Sequence, residues 1–168
     1  MEEPIHIDTF RMGSDTWVAA YSEAGLTGIW FPGRFPVETS ADTGVRPSKQ
    51  IQSWQKVTRQ WVKSYLQGKQ PDIASAPPLD LQQGTPFQQS VWNALRSIPY
   101  GATLSYGEIA NKIGKPKAVR ATGGACGANP IPLIIPCHRV LAANRKLGGF
   151  SGGIEWKQKL LALESIEI

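Results

Sequence analysis

The sequence predicts an α+β protein in two parts: a small antiparallel sheet carrying one helix, then a helical region of helix-turn-helix form. Three observations support this. Short β-rich runs alternate with turn residues through the first third, helix-capping patterns recur through the second half, and a proline-rich stretch separates the two. The 168 residues, 41% of them hydrophobic, suffice for the core of one or two small domains.

The β-rich runs are Ile5–Phe10, Trp17–Tyr21 and Leu26–Phe31, joined by Gly13-Ser14-Asp15 and Glu23-Ala24-Gly25, and they read as a meander. Between Pro47 and Gly68, the residues Ile51, Trp54, Val57, Trp61, Tyr65 and Leu66 recur near helical spacing, with Ser48 as a cap and Gly68 as a stop. One helix packed on the sheet is expected. Lys69–Leu79 holds Pro71, Pro77 and Pro78 without periodicity and reads as a linker, giving domains 1–79 and 80–168.

In the second part, Thr85-Pro86-Phe87-Gln88 supplies an N-cap, a proline at the first helical position and a capping-box glutamine, for a helix running to about Ser97. Ser105-Tyr106-Gly107-Glu108 repeats the capping box for a short helix stopped by Gly114, and a third helix is expected from about Pro116. The two short helices across a tight turn have helix-turn-helix form, with Lys117 and Arg120 on the second. That helix is made of Ala118, Val119, Ala121, Thr122, Gly123, Gly124 and Ala125; its glycines fit either tight packing within the domain or close approach by a nucleic-acid groove. The apolar stretch within Asn129–Pro136 suggests a short buried strand ending at Cys137. Gly148–Gly153 is a glycine-rich loop without the Lys-Ser/Thr ending of a P-loop. A last helix, about Ile154–Ser165, turns Ile154, Leu160, Leu161 and Leu163 to a core and holds Glu164 among them.

The formal charge of +5 is unevenly placed: residues 1–83 are net −1 and residues 84–168 net +6. Concentrated positive charge favours a polyanionic partner. No apolar run is long enough for a bilayer, and the acidic start Met1-Glu2-Glu3-Pro4 lacks the basic region of a secretory signal, so a cytoplasmic protein without a membrane segment is expected. Cys126 and Cys137 with His6 and His138 are too few for a disulfide framework or a structural zinc site; neither metal nor cofactor is expected.

Cys137 stands beside His138. An ordinary thiol, of pKa about 8.5, is only slightly ionised near neutrality, so a neighbouring base is what would make it a nucleophile. In an extended segment adjacent side chains point apart, and the pair cooperates only if the chain turns there or a water bridges it. A packed thiol and an activated one both fit the residues alone. Cys126, among small residues, reads as packing.

Asn129-Pro130-Ile131-Pro132 followed by Pro136-Cys137-His138-Arg139-Val140 closely resembles the active-site signature of the O6-alkylguanine-DNA alkyltransferases. The resemblance covers about residues 79–164, including Gly84–Gln88, Ile98–Gly101, Ser105–Ala110, Arg120–Gly124 and Ser151–Gly153. It implies a ribonuclease-H-like first domain and a winged helix-turn-helix second domain. It implies a protein that flips O6-methylguanine, and in an open extension O4-methylthymine, out of duplex DNA and takes the alkyl group once, irreversibly, onto Cys137. His138 would draw the thiol proton through a water, Glu164 would orient the imidazole, Tyr106 would assist the leaving guanine and Asn129 would brace the turn. Arg120 would occupy the space of the flipped nucleotide, with Ala118, Ala121, Gly123, Gly124 and Ser105 against the DNA. Val140, Phe150, Ser151 and Arg139 would form or steady the alkyl pocket. The partner implied is duplex DNA holding O6-alkylguanine, met by a monomer, with cooperative binding left open. Phe150 replaces a common tyrosine, Gly127-Ala128 lacks a basic residue, and Cys126 is an additional thiol. A non-repairing relative would lack the acceptor cysteine, a plain winged-helix regulator would read undamaged DNA, and a Cys-His hydrolase would need an oxyanion hole.

Overall fold

The computed structural model describes residues 3–36 and 44–168; Met1 and Glu2 of the acidic start lie outside the described residues. The chain divides into two compact units, Met1–Leu81 and Gln82–Ile168.

In the first unit β1 (His6–Met12), β2 (Asp15–Ser22) and β3 (Gly25–Trp30) form an antiparallel meander, in register from His6 opposite Tyr21 and from Val18 opposite Trp30. A register shift at Ala20/Tyr21 adds a bulge. Trp17 and Phe31 stack near the centre of its core with ring centroids 5.0 Å apart. Helix α1 (Lys49–Leu66) starts where Ser48 Oγ accepts the Ile51 N–H, and it buries Ile51, Trp61, Val62 and Tyr65. Arg59 of α1 grips both carboxylate oxygens of the nearly buried Asp8 on β1, Nε at 2.8 Å, tying helix to sheet.

The proline-rich stretch is more than a connector. It holds a 3-10 turn at Ile73–Ser75 capped by Asp72, and its end lies along β3, with Leu26 N–H donating to Pro78 O and Asp80 N–H to Leu26 O, both at 2.8 Å. Prolines leave those carbonyls free to accept while supplying no N–H, which suits an edge.

The second unit has four helices: α2 (Pro86–Leu95), α3 (Tyr106–Lys112), α4 (Val119–Gly127) and α5 (Ile154–Leu163). Both predicted capping boxes form, at Thr85/Gln88 and Ser105/Glu108. Helix α4 begins three residues later than expected, because Lys115–Ala118 close a turn first, with Ala118 N–H donating to Lys115 O at 2.9 Å. A two-residue parallel pair, β4 (Leu104–Ser105) with β5 (Val140–Leu141), joins the start of α3 to the segment after Cys137.

Two expectations are corrected. Ile131–Ile135 are buried but do not form a strand: Leu133 has φ 77°, Pro132 bridges Ile135, and the segment is a tight turn. Apolar content alone cannot separate a buried turn from a buried strand, and the flanking prolines favour the turn. Ile154 is 40% exposed, because it opens α5, and the core face of that helix holds Lys157, Leu160 and Leu161 instead.

Trp92 links α2 to α4 by donating Nε1–H to Ala125 O at 2.8 Å, and the glycine at 84 lies against its ring. A Cβ at Gly84 would fall inside contact distance of that buried ring. Gly84→Ala is therefore expected to destabilise the second unit by about 1–3 kcal/mol, measured by denaturant unfolding.

Candidate active site

The site is built where the segment after the Asn129 turn meets the end of α5. Asn129 Nδ2 donates to Ile135 O at 2.8 Å and its Oδ1 accepts the Ile131 N–H at 3.0 Å, so one buried side chain closes the turn from both ends. The chain then enters a 3-10 turn at Cys137–Arg139. The turn removes the geometric objection to a Cys-His pair, since these neighbours are not in extended backbone.

Behind the turn lies Glu164, at the C-cap of α5 and 3% exposed. Its Oε2 is 2.6 Å from His138 Nε2; its Oε1 accepts Arg139 Nε at 2.8 Å and the Gly101 N–H at 2.9 Å. Arg139 also donates to Ile98 O at 2.7 Å and lies over the Tyr100 ring, whose hydroxyl donates to Leu163 O at 3.1 Å. The Ile98–Gly101 turn is thereby fixed to the end of α5. Burial alone would raise Glu164, but the hydrogen bonds from His138, Arg139 and Gly101 outweigh it and hold the carboxyl at about 2. Burial lowers His138. An ionised carboxylate can only accept, so His138 carries its proton on Nε2 and its basic lone pair on Nδ1.

Cys137 opens onto a cavity of about 370 Å³ lined by Tyr106, Gly123, Cys126, Gly127, Cys137, Gly149, Phe150 and Ser151. Burial pushes its thiol up to about 11, opposed by the Asn129 side chain and by Lys157. Cys126 shares the cavity and is pushed up to about 12, mainly by burial. Burial likewise raises Tyr106, at the first turn of α3. Gly148, at φ 67°, comes close enough that a Cβ there would stand 3.2 Å from the Tyr106 hydroxyl.

Of the residues singled out in the sequence, Cys137, Tyr106, Phe150, Ser151 and Gly123 meet around this cavity, while His138, Glu164 and Asn129 support it from the buried side. Arg139 and Val140 do not line it: Arg139 is committed to Glu164 and Ile98, and Val140 is fully buried in β5. The Ser105 hydroxyl accepts the Glu108 N–H as the cap of α3. On α4, Arg120, Ala121 and Gly124 are exposed and Ala118 is half-buried. A Cβ at Gly124 or Gly127 would meet nothing within 4 Å, so packing inside the domain does not explain these glycines.

Sequence reasoning missed Lys157, which is fully buried on α5, its ammonium lowered by burial and its Nζ donating to backbone carbonyls. A lysine between Trp156 and Leu160 in an apolar helix was the available signal. It also missed the place of Cys126 in the cavity. Among the described residues no cluster of His, Cys, Asp and Glu could hold a metal, and no helix is long and apolar enough to cross a membrane.

Glu164 binds fewer protons folded than unfolded, so its contribution to stability is complete above the ordinary carboxyl value and lost as pH falls from 4.5 towards about 2. His138, lowered by burial, acts in the same direction as pH falls below its ordinary 6.5. The fall at Glu164 is worth roughly 3 kcal/mol, and Glu164→Gln is expected to lose about that much at neutral pH. Its stability should also vary less with acidification than the parent's. Thermal unfolding across the acid range reads both effects.

Residues 86–166 match the sequence pattern of the family described as 6-O-methylguanine DNA methyltransferase, DNA binding domain. The methylated-DNA–protein-cysteine methyltransferase of Haemophilus influenzae is 60% identical over 84 residues, 50% of this chain and 47% of that protein. The protein of the same name from Methanosarcina acetivorans is 52% identical over 105 residues, 61% of this chain and 64% of its own. The matched part thus spans about half to two thirds of these curated relatives. Among solved structures, the O6-methylguanine methyltransferase of Mycobacterium tuberculosis aligns over 96% of this chain and 93% of its own at 39% identity, with a TM-score of 0.77. A crystal structure of the Mycobacterium tuberculosis OGT in complex with DNA aligns over 95% and 92%, also at 39% identity, with a TM-score of 0.74. With the signature around Cys137 and a likeness over nearly the full length of a solved relative, the chain belongs to the O6-methylguanine-DNA methyltransferase family.

Proposed function

We propose that this chain repairs alkylated DNA by direct reversal, moving the alkyl group of O6-methylguanine in duplex DNA onto its own Cys137. The observation that carries this is the juxtaposition of a cavity opening on the Cys137 thiol with the His138–Glu164 pair immediately behind it.

Cys137 Sγ attacks the alkyl carbon in line with its bond to O6. A C–S bond forms, the C–O bond breaks, and the electron pair leaves on guanine. The thiol proton passes through a bridging water to His138 Nδ1, while the Tyr106 hydroxyl donates to the departing purine. In net terms the thiol proton ends on the guanine ring. A thioether is a poor leaving group, so nothing regenerates the thiol and each molecule acts once. O4-methylthymine carries the same oxygen-linked methyl and is open to the same displacement.

The buried thiol reaches such a carbon only if the base leaves the stack. Arg120, exposed on α4, is suited to fill the vacated space, and Ala118, Ala121, Gly123 and Gly124 allow that helix close to the minor groove. Ser105 stands at the N-terminal end of α3 beside this surface. The net +6 of residues 84–168 favours the phosphate backbone, and the OGT–DNA complex of Mycobacterium tuberculosis supports a DNA partner. Phe150 and Ser151 wall the alkyl pocket, whereas Arg139 steadies the turn through Glu164. Residues 80–168 form, in this reading, a winged helix-turn-helix domain for DNA binding and transfer, and residues 1–79 a ribonuclease-H-like domain. The protein works as a monomer in the cytoplasm, where its thiols stay reduced.

Incubation with excess duplex containing one O6-methylguanine is expected to add a single methyl to the peptide holding Cys137, with no addition in Cys137→Ser, as read by intact and peptide mass. Unmodified protein that still prefers the lesion would show recognition without repair, and no lesion preference would favour a winged-helix regulator. Tyr106→Phe is expected to slow single-turnover transfer about 100-fold or more while leaving lesion binding within a few-fold.

A further inference from the structure

The wall of the cavity opposite α3 and α4 comes from Gly149, Phe150 and Ser151, within a loop that has little holding it. Gly149 and Ser151 are exposed, and the backbone bonds nearby are Ala142 N–H to Lys146 O at 2.8 Å and Gly153 N–H to Phe150 O at 3.0 Å. Both are local and neither reaches the core. Left-handed backbone at Asn144, Arg145, Gly148 and Gly153 also prevents the segment from extending a strand. An exposed loop of this kind keeps one shape only if something anchors it.

Lys157 is that anchor. Its side chain is fully buried, and its Nζ donates to Val140 O at 2.8 Å, to Leu147 O at a shorter distance, and to Gly149 O at 3.4 Å. The ammonium has three protons, and the three carbonyls take one each. The bonds span the strand that follows the Cys137 turn, the entry to the glycine-rich loop and the cavity wall itself. Lys157 Nζ also lies 6.0 Å from the centre of the Phe150 ring. No carboxylate among the described residues forms a salt bridge with it; backbone dipoles alone compensate the charge.

We infer that Lys157 is a positioning residue that sets the width of the alkyl pocket, by fixing the Gly149–Ser151 wall at a set distance from Cys137 and so favouring small alkyl groups over bulky ones. The inference rests on the reading of the cavity as an alkyl pocket. Lys157 touches neither the alkyl group nor the base; it acts through the carbonyls of the loop.

The test compares single-turnover transfer from duplexes containing O6-methylguanine and O6-benzylguanine, using the full chain and Lys157→Met, whose unbranched side chain fills similar space without donors. The variant is expected to transfer methyl more slowly and to raise the benzyl-to-methyl rate ratio about tenfold. A general loss of stability, assayed below the unfolding temperature, would leave that ratio unmoved, so an unchanged ratio overturns the inference. A second measurement needs no folded variant: in the parent protein labelled with ¹⁵N-lysine, one ammonium is expected to be protected from exchange with water. Finding no protected ammonium overturns the inference as well. Failure of the parent protein to transfer either group counts against the proposed activity, while the ammonium signal still reads the anchor separately.

Discussion

A single buried carboxylate organises the second unit. Glu164 accepts from His138, Arg139 and Gly101, three groups far apart in sequence, and each contact fixes a different piece: the turn after Cys137, the arginine bound to Ile98, and the loop before β4. Such a charge is tolerable in a protein interior only when donors surround it. The requirement runs both ways, because the arginine and the imidazole would be costly to bury without the carboxylate. The catalytic geometry and the stability of the domain therefore draw on the same bonds, and the Cys-His-Arg order has little freedom to vary.

Around that centre, helix starts do the positioning. The Ser105/Glu108 box fixes where α3 begins, and the next residue is Tyr106, which then faces the cavity. The Thr85/Gln88 box starts α2, and Trp92 one turn further on reaches the carbonyl of Ala125, next to Cys126. Local capping energies of about 1 kcal/mol each thus determine the relative placement of Tyr106 and the cavity floor.

These local signals explain which parts could be read from the sequence. The meander, α1 with its Ser48 cap, both capping boxes and the Asn129 and Cys137 motifs are written in neighbouring residues. The Ile131–Ile135 turn was not legible as such, because burial of consecutive apolar residues looks the same in a turn and a strand, and only the positive φ of Leu133 separates them. Lys157 was illegible for a different reason. Its solvation comes from three carbonyls of a loop that ends several residues before it, and no residue type announces a backbone acceptor. Glu164 stood in the sequence as one more polar residue near a helix end; its burial depends on partners 25 and more positions away.

The same burial that shapes the site also sets the timing of its chemistry. Cys137 is pushed up to about 11 while His138 is pushed below its ordinary range, so a resting thiolate–imidazolium pair is disfavoured. The resting state is a neutral thiol beside a neutral imidazole whose tautomer Glu164 has already fixed. Sulfur then becomes nucleophilic only as its proton leaves, and the proton leaves only when a carbon is there to share the electron pair. For a reagent that can be used once, that order has a clear advantage. A permanently ionised thiolate would be consumed by any small electrophile that reached the cavity, whereas a thiol held neutral by burial reacts when an alkylated base fills the site, and Tyr106 stands ready to stabilise the leaving group.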